Sequence, residues 1–243
     1  MEKLIQKRIN KTKSFAGLLQ TAPFVSAIIL NGSLAIGNIK ESSDIDLLII
    51  TKKGRIFTTR FFVNLIGILT GQKRPKNEKK SHAGKFCFNY FTTEDYLKIP
   101  MGRGEKIDKY CAENYSKSIL ISGDQQLFKR FFEVNKELFT KHCSVIARSR
   151  SNEAIYHERL PRLDSSSKSM APTSPSYEGH GRDDRHLIIR KILESILITK
   201  FGDWLEKRLK TYQIAKIESD SRTQQYPNLI TYNDRELRFH PPK

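Results

Sequence analysis

Residues 25–51, VSAIILNGSLAIGNIKESSDIDLLIIT, decide the fold. Val25 to Leu30 is an apolar, β-branched run ended by Asn31-Gly32, the pattern of a buried strand running into a turn. Asp44 to Thr51 is a second such run, opening with its polar residues. Successive side chains of a strand point to opposite faces, so Asp44 and Asp46 share a face with Cα atoms about 6 to 7 Å apart. Both are ionised at neutral pH, and carboxylates so close repel each other unless a positive charge sits between them. Magnesium suits that position, because one or two carboxylates hold it while water and phosphate oxygens complete its octahedron. Gly32 and Ser33 supply the other half of a site: a backbone that a phosphate approaches closely, and a hydroxyl beside N–H groups that bind its oxygens.

The order of these parts, a Gly-Ser after a first strand and an Asp-x-Asp on a second, resembles the signature of the DNA polymerase beta-like nucleotidyltransferase superfamily, in particular its small bacterial and archaeal members, the minimal nucleotidyltransferases. The resemblance implies an α/β (α+β) fold with a small mixed sheet flanked by helices. It also implies a metal-dependent transferase that moves a nucleoside monophosphate from a triphosphate such as ATP to an acceptor hydroxyl. Asp44 and Asp46 would then be catalytic and hold Mg2+, two ions in an active enzyme. Gly32 and Ser33 would bind the nucleotide.

Two departures from the family pattern stand out. Ile36 lies where many minimal members carry an arginine. The strand expected to bring a third carboxylate is Lys85 to Phe91, KFCFNYF, in which Cys87, Asn89 and Phe91 alternate with Phe86, Phe88 and Tyr90. Its central polar residue is Asn89, the third candidate catalytic position, and an amide offers a metal an oxygen but cannot take a proton as a general base. Glu94 or Asp95 would substitute only if the strand bends, and Thr92-Thr93-Glu94-Asp95 reads as a helix start. An alternative function follows: a catalytically impaired module of the same fold that binds nucleotide, RNA or a partner protein without turnover. A basic RNA-binding protein in which the two motifs are coincidental is a third reading.

Composition bounds these readings. The 243 residues carry 43 Lys and Arg against 26 Asp and Glu, a formal charge of +17 that favours polyanionic partners such as nucleotides and RNA. Cys87, Cys111 and Cys143 show no Cys-x-x-Cys spacing, so neither a zinc site nor a disulfide framework is expected, and a reducing cytoplasm fits. The basic N-terminus is followed by no sustained apolar stretch of a secretion signal. No run approaches the roughly 20 apolar residues of a spanning helix, so no membrane partner is expected.

Along the chain, Leu4 to Leu19 reads as an amphipathic helix that packs beside the first strand. Ile56 to Leu69 reads as a helix crossing over the sheet, as parallel pairing of the flanking strands requires. Gly71 to Lys85, GQKRPKNEKKSHAGK, is a basic loop, either a cationic arm over the triphosphate or a nucleic acid, or simply solvated. Asp108 to Ser118 and Gln125 to His142 read as helices separated by Ile119 to Gly123. The expected organisation is a nucleotidyltransferase domain over 1–146, a Ser- and Pro-rich disordered linker over 147–184, and a helical C-terminal extension over 185–243. In that extension Leu187 to Ile217 is one long helical stretch that Gly202 breaks. Arg235 and His240 stand at the Arg-x-x-x-x-His spacing of helical ribonucleases, but outside any convincing helix.

Overall fold

The computed structural model describes residues 1–75, 82–102, 104–143, 185–226 and 229–239. The segment read as a disordered linker, 147–184, lies outside them, as do His240 and the middle of the basic loop.

Helix α1 (Glu2–Leu19) leads into β1 (Val25–Asn31), a short helix α2 (Gly32–Ile36) and β2 (Ile45–Thr51). The crossover helix α3 (Ile56–Leu69) carries the chain to β3 (Phe86–Thr93). After it come α4 (Glu105–Tyr115), β4 (Ile119–Gly123), α5 (Gln125–Val134) and α6 (Lys136–His142). The C-terminal part holds α7 (Arg185–Leu197), α8 (Lys200–Glu218), α9 (Ser221–Gln225), β5 (Thr231–Tyr232) and β6 (Glu236–Arg238). The strands form one mixed sheet in the order β4-β1-β2-β3-β6-β5. β2 and β3 are parallel, as the crossover demands, and the other pairs are antiparallel.

Both faces of the sheet are covered, which is why its central strands read as nearly unbroken apolar runs. On one face Ile28, Leu30, Leu47, Ile49, Phe86 and Phe88 pack against Phe15, Ala16 and Leu19 of α1 and Phe57 and Val63 of α3. On the other, Ala27, Ile29, Leu48, Ile50 and Tyr90 meet Ala112 and Tyr115 of α4, Phe131 of α5, and Leu138 and Phe139 of α6. Each fully buried Ile, Leu or Phe contributes about 1.5–3 kcal/mol of burial, so the two cores hold the sheet firmly from both sides.

Several sequence expectations change in the fold. Thr92 and Thr93 do not start a helix: they continue β3, paired with Ile50 and Thr51. Glu94 follows as a turn and donates its backbone N–H to the Thr51 carbonyl. The helix expected over Asp108 to Ser118 is shifted towards the N-terminus as α4, and Ile119 to Gly123 is not a spacer but the edge strand β4. Gln125 to His142 is two helices, because the buried Asn135 turns its side chain onto the backbone. Its Nδ2 donates to Leu97 O and Phe131 O, both at 2.8 Å, and its Oδ1 accepts from Ile99 N at 2.7 Å.

The long C-terminal helical stretch breaks at Ile198 and Thr199, ahead of Gly202. Gly202 lies inside α8, where a Cβ would stand 1.8 Å from the Leu197 carbonyl oxygen; it permits the tight joint and does not itself end the helix. Nor is the C-terminal segment helical throughout. It returns as β6 to extend the sheet beside β3, burying Glu236, Leu237 and Arg238.

The alternation read in β3 is also overturned. Leu47 pairs with Phe88 but Leu48 pairs with Tyr90, so Asn89 is an extra residue, a β-bulge. Beyond it every side chain changes face. Phe91 therefore joins Phe86 and Phe88 in one core, and Tyr90 lies on the face of Leu48.

Candidate functional site

The site lies where β1 ends and β2 and β3 begin. Asn31, Asp46 and Cys87 are cross-strand partners in three adjacent strands and so share one face of the sheet. Asp44 precedes β2 in a segment that α1 holds in place. Arg8 donates to Ser43 O and Glu41 O, each at 2.8 Å, and Lys11 Nζ donates to Gly84 O at 2.6 Å. Gly84 N in turn donates to Ser43 O, and Ile45 N to Lys85 O. The N-terminal helix thus fixes the entry to both site strands.

Gly32 adopts φ +70, and a Cβ there would stand 2.5 Å from Asp46 Oδ2. The residue must be glycine both for its left-handed backbone and because the Asp46 carboxylate occupies the space. Gly32 and Ser33 open α2, whose first-turn N–H groups have no partner within the helix. The turn expected there is therefore a helix start facing the aspartates. Gly37, with φ +83, ends it.

Donor atoms of Asp44, Asp46 and Cys87 all lie within 4.8 Å of one another. Cys87, scattered and unassigned in the sequence, is thus the third corner of the cluster; its place two residues before Asn89 on an alternating strand was the available signal. Asn89 Nδ2 donates to Asp46 Oδ1 at 2.8 Å, while Asn89 Oδ1 is buried with no hydrogen-bond partner. The bulge brings this amide to Asp46. Burial, then Asp46 and Asp44, push the Cys87 thiol up and hold it protonated. Burial and Asp46 also raise the Tyr110 hydroxyl of α4, which places that ring beside the cluster.

The positive charge that two close carboxylates require comes in this structure from Arg74. Its Nη1 donates to Asp44 Oδ2 at 2.6 Å, and its Nε to His82 Nδ1 at 2.6 Å. Burial works against the guanidinium's charge, but its partners, the Asp44 carboxylate among them, outweigh it and raise Arg74 above its usual value. Grouped with the basic loop in the sequence, Arg74 is separated from Asp44 by 30 positions, and no local pattern reveals the pair.

Glu94 and Asp95 do not reach the cluster. They lie at the far end of β3 and pair with Lys52 at 2.9 Å and Lys53 at 3.3 Å. Ile36 is the last residue of α2 and makes no polar contribution.

The donor chemistry fits one divalent cation. Asp44 and Asp46 offer hard oxygens of the kind magnesium takes, and the Cys87 sulfur suits softer ions such as Mn2+ or Zn2+ better than Mg2+. Among the described residues no helix is long and apolar enough to cross a membrane.

Residues 12–102 match the nucleotidyltransferase domain family, a span that contains Gly32, Ser33, Asp44, Asp46, Arg74, Cys87 and Asn89. A crystal structure of a toxin-antitoxin with AMP-PNP aligns at 14% identity over 57% of this chain and 96% of that one, with a TM-score of 0.30. No curated protein matches the chain.

Proposed function

We propose that the nucleotidyltransferase domain at residues 12–102 transfers a nucleoside monophosphate from a triphosphate to an acceptor hydroxyl. The observation that carries this reading is the convergence of Gly32, Asp44, Asp46 and Cys87 at one end of the sheet, with a cation-sized cluster facing a helix start. Gly32 and Ser33 receive the phosphates, and Asp44 and Asp46 hold Mg2+ or a related ion. When bound, the ion neutralises charge on the attacking and leaving oxygens. Asn89 orients Asp46 through its 2.8 Å bond, and Gly32 leaves room for the carboxylate in that orientation. The acceptor hydroxyl attacks the α-phosphate in line, forming the new P–O bond as the bond to pyrophosphate breaks, and its proton passes to solvent. Cys87, Cys111 and Cys143 are not joined by disulfides in this structure, in keeping with a cytoplasmic location.

Magnesium-dependent consumption of labelled ATP with release of pyrophosphate, lost in Asp46→Ala, is the expected result. One specific observation favours a second reading. The groups beside the aspartates are a protonated thiol and an amide, and neither takes a proton from an attacking hydroxyl at neutral pH. A module that binds nucleotide, or RNA through its basic surface, without turnover would show metal-dependent triphosphate binding and no pyrophosphate with any acceptor.

A further inference from the structure

Arg74 is built into the site more firmly than a loop cation would be. Its backbone N–H donates to Phe86 O at 2.8 Å, and Lys73 forms a parallel bridge with Phe86, so this stretch runs as a short extension of the sheet beside β3. From there the side chain crosses to Asp44 Oδ2 at 2.6 Å, with Nε on His82 and Nη1 4.0 Å from the Cys87 sulfur. The guanidinium is 30% exposed and Asp44 15%, so the pair is partly withdrawn from water but still open on one side.

The ligand oxygens in this cluster limit how many metal ions it takes. Two carboxylates and one guanidinium leave a single net negative charge on these three side chains. One divalent cation turns that into a single positive charge. A second, typically held about 3.5–4 Å from the first, needs carboxylate oxygens of its own, and one of the four that Asp44 and Asp46 offer is already committed to Arg74. A planar guanidinium, by contrast, is a fixed cation with several donors that binds carboxylate and phosphate oxygens together.

We propose that Arg74 is the second cation of this site: held on Asp44, its guanidinium faces the nucleotide phosphates in place of a second metal ion, and Asp44 with Asp46 takes one divalent ion per nucleotide. This rests on the nucleotide-binding reading given above. Arg74 also explains how the site tolerates an amide at Asn89, since the charge a further carboxylate would balance is absent.

The test is equilibrium dialysis of the full chain with Mn2+ and a non-hydrolysable ATP analogue, measuring the excess of each in the protein compartment. The expected ratio of metal to nucleotide is one. Arg74→Gln, which removes the charge but keeps a polar side chain, weakens analogue binding roughly tenfold or more, and Arg74→Lys recovers part of it. Thermal denaturation of each variant shows whether it is folded. If Arg74 only tied its loop to Asp44, Arg74→Gln would lower the melting temperature and leave the affinity of the folded protein unchanged, which overturns the proposal. A ratio of two in the unaltered chain overturns it as well, while leaving the nucleotide-binding reading intact. Absence of any Mn2+-dependent analogue binding in the unaltered chain overturns that reading, and the role of Arg74 with it.

Discussion

Replacing Gly32 with alanine separates the two demands made on that position. The backbone there has φ +70, and an L-residue in the left-handed region costs about 1–2 kcal/mol. The new Cβ would also stand 2.5 Å from Asp46 Oδ2, 3.2 Å from its Cγ and 3.3 Å from its Cβ. Since the Asp46 Cβ belongs to a central strand, the carboxylate has to swing away, and it loses the 2.8 Å bond from Asn89. A hydrogen bond to a charged group is worth about 1.5–3 kcal/mol, so the total loss is about 2.5–5 kcal/mol.

Gly37 is the control: its φ is +83, but nothing lies within 4 Å of an added Cβ. Gly37→Ala therefore costs only the conformational part, about 1–2 kcal/mol. The difference of about 2 kcal/mol should appear in urea unfolding and separate the melting temperatures by about 4–8 °C in a chain of this size. Nucleotide binding in the presence of Mg2+ should vanish in Gly32→Ala and survive in Gly37→Ala. Equal stability loss and equal binding in the two variants would refute the role assigned to Gly32 as the residue that makes room for Asp46.

Three further outcomes are expected. Asn89→Asp sets a carboxylate against Asp46, so with chelator present it should unfold about 2 kcal/mol more easily, and excess Mg2+ should restore most of the loss in the same urea titration. Asn135→Ala removes the acceptor for Ile99 N and the donors to Leu97 O and Phe131 O; a loss of about 2–4 kcal/mol is expected, and a loss below 1 kcal/mol in chemical denaturation would contradict the assignment of the α5–α6 break to this side chain. Glu206 accepts from Phe57 N and Thr58 N at the start of α3, and burial raises its pKa above 4.5 despite those bonds. Above pH 4.5 the folded protein keeps a proton the unfolded chain releases, so this group makes stability fall as pH rises through its raised pKa. Unfolding free energies measured across that window should lose this part of their slope in Glu206→Gln.

The strands β1 and β2 were legible because their residues carry their own signal: β-branched apolar runs ended by a glycine turn, and two aspartates one alternation apart. The crossover helix was legible for the same reason, and parallel pairing of β2 with β3 followed from it. Asn89 reaches Asp46 with its amide, yet its neighbours Tyr90 and Phe91 lie on the faces opposite to those that simple alternation predicts. A bulge leaves no mark in local periodicity, since it is set by how two strands match in length and packing and not by either alone.

Residues 25–51 by themselves determined where the aspartates and the Gly-Ser turn lie, because strand alternation and glycine's backbone freedom act over a few residues. The tertiary structure alone decided what surrounds them. Arg74 reaches Asp44 across 30 positions, Cys87 joins the pair through register with Asp46, and β6 closes the sheet beside β3 from the far end of the chain. These contacts depend on which strands become neighbours, and that is settled by burying both faces of the sheet at once, a condition no single stretch of sequence contains.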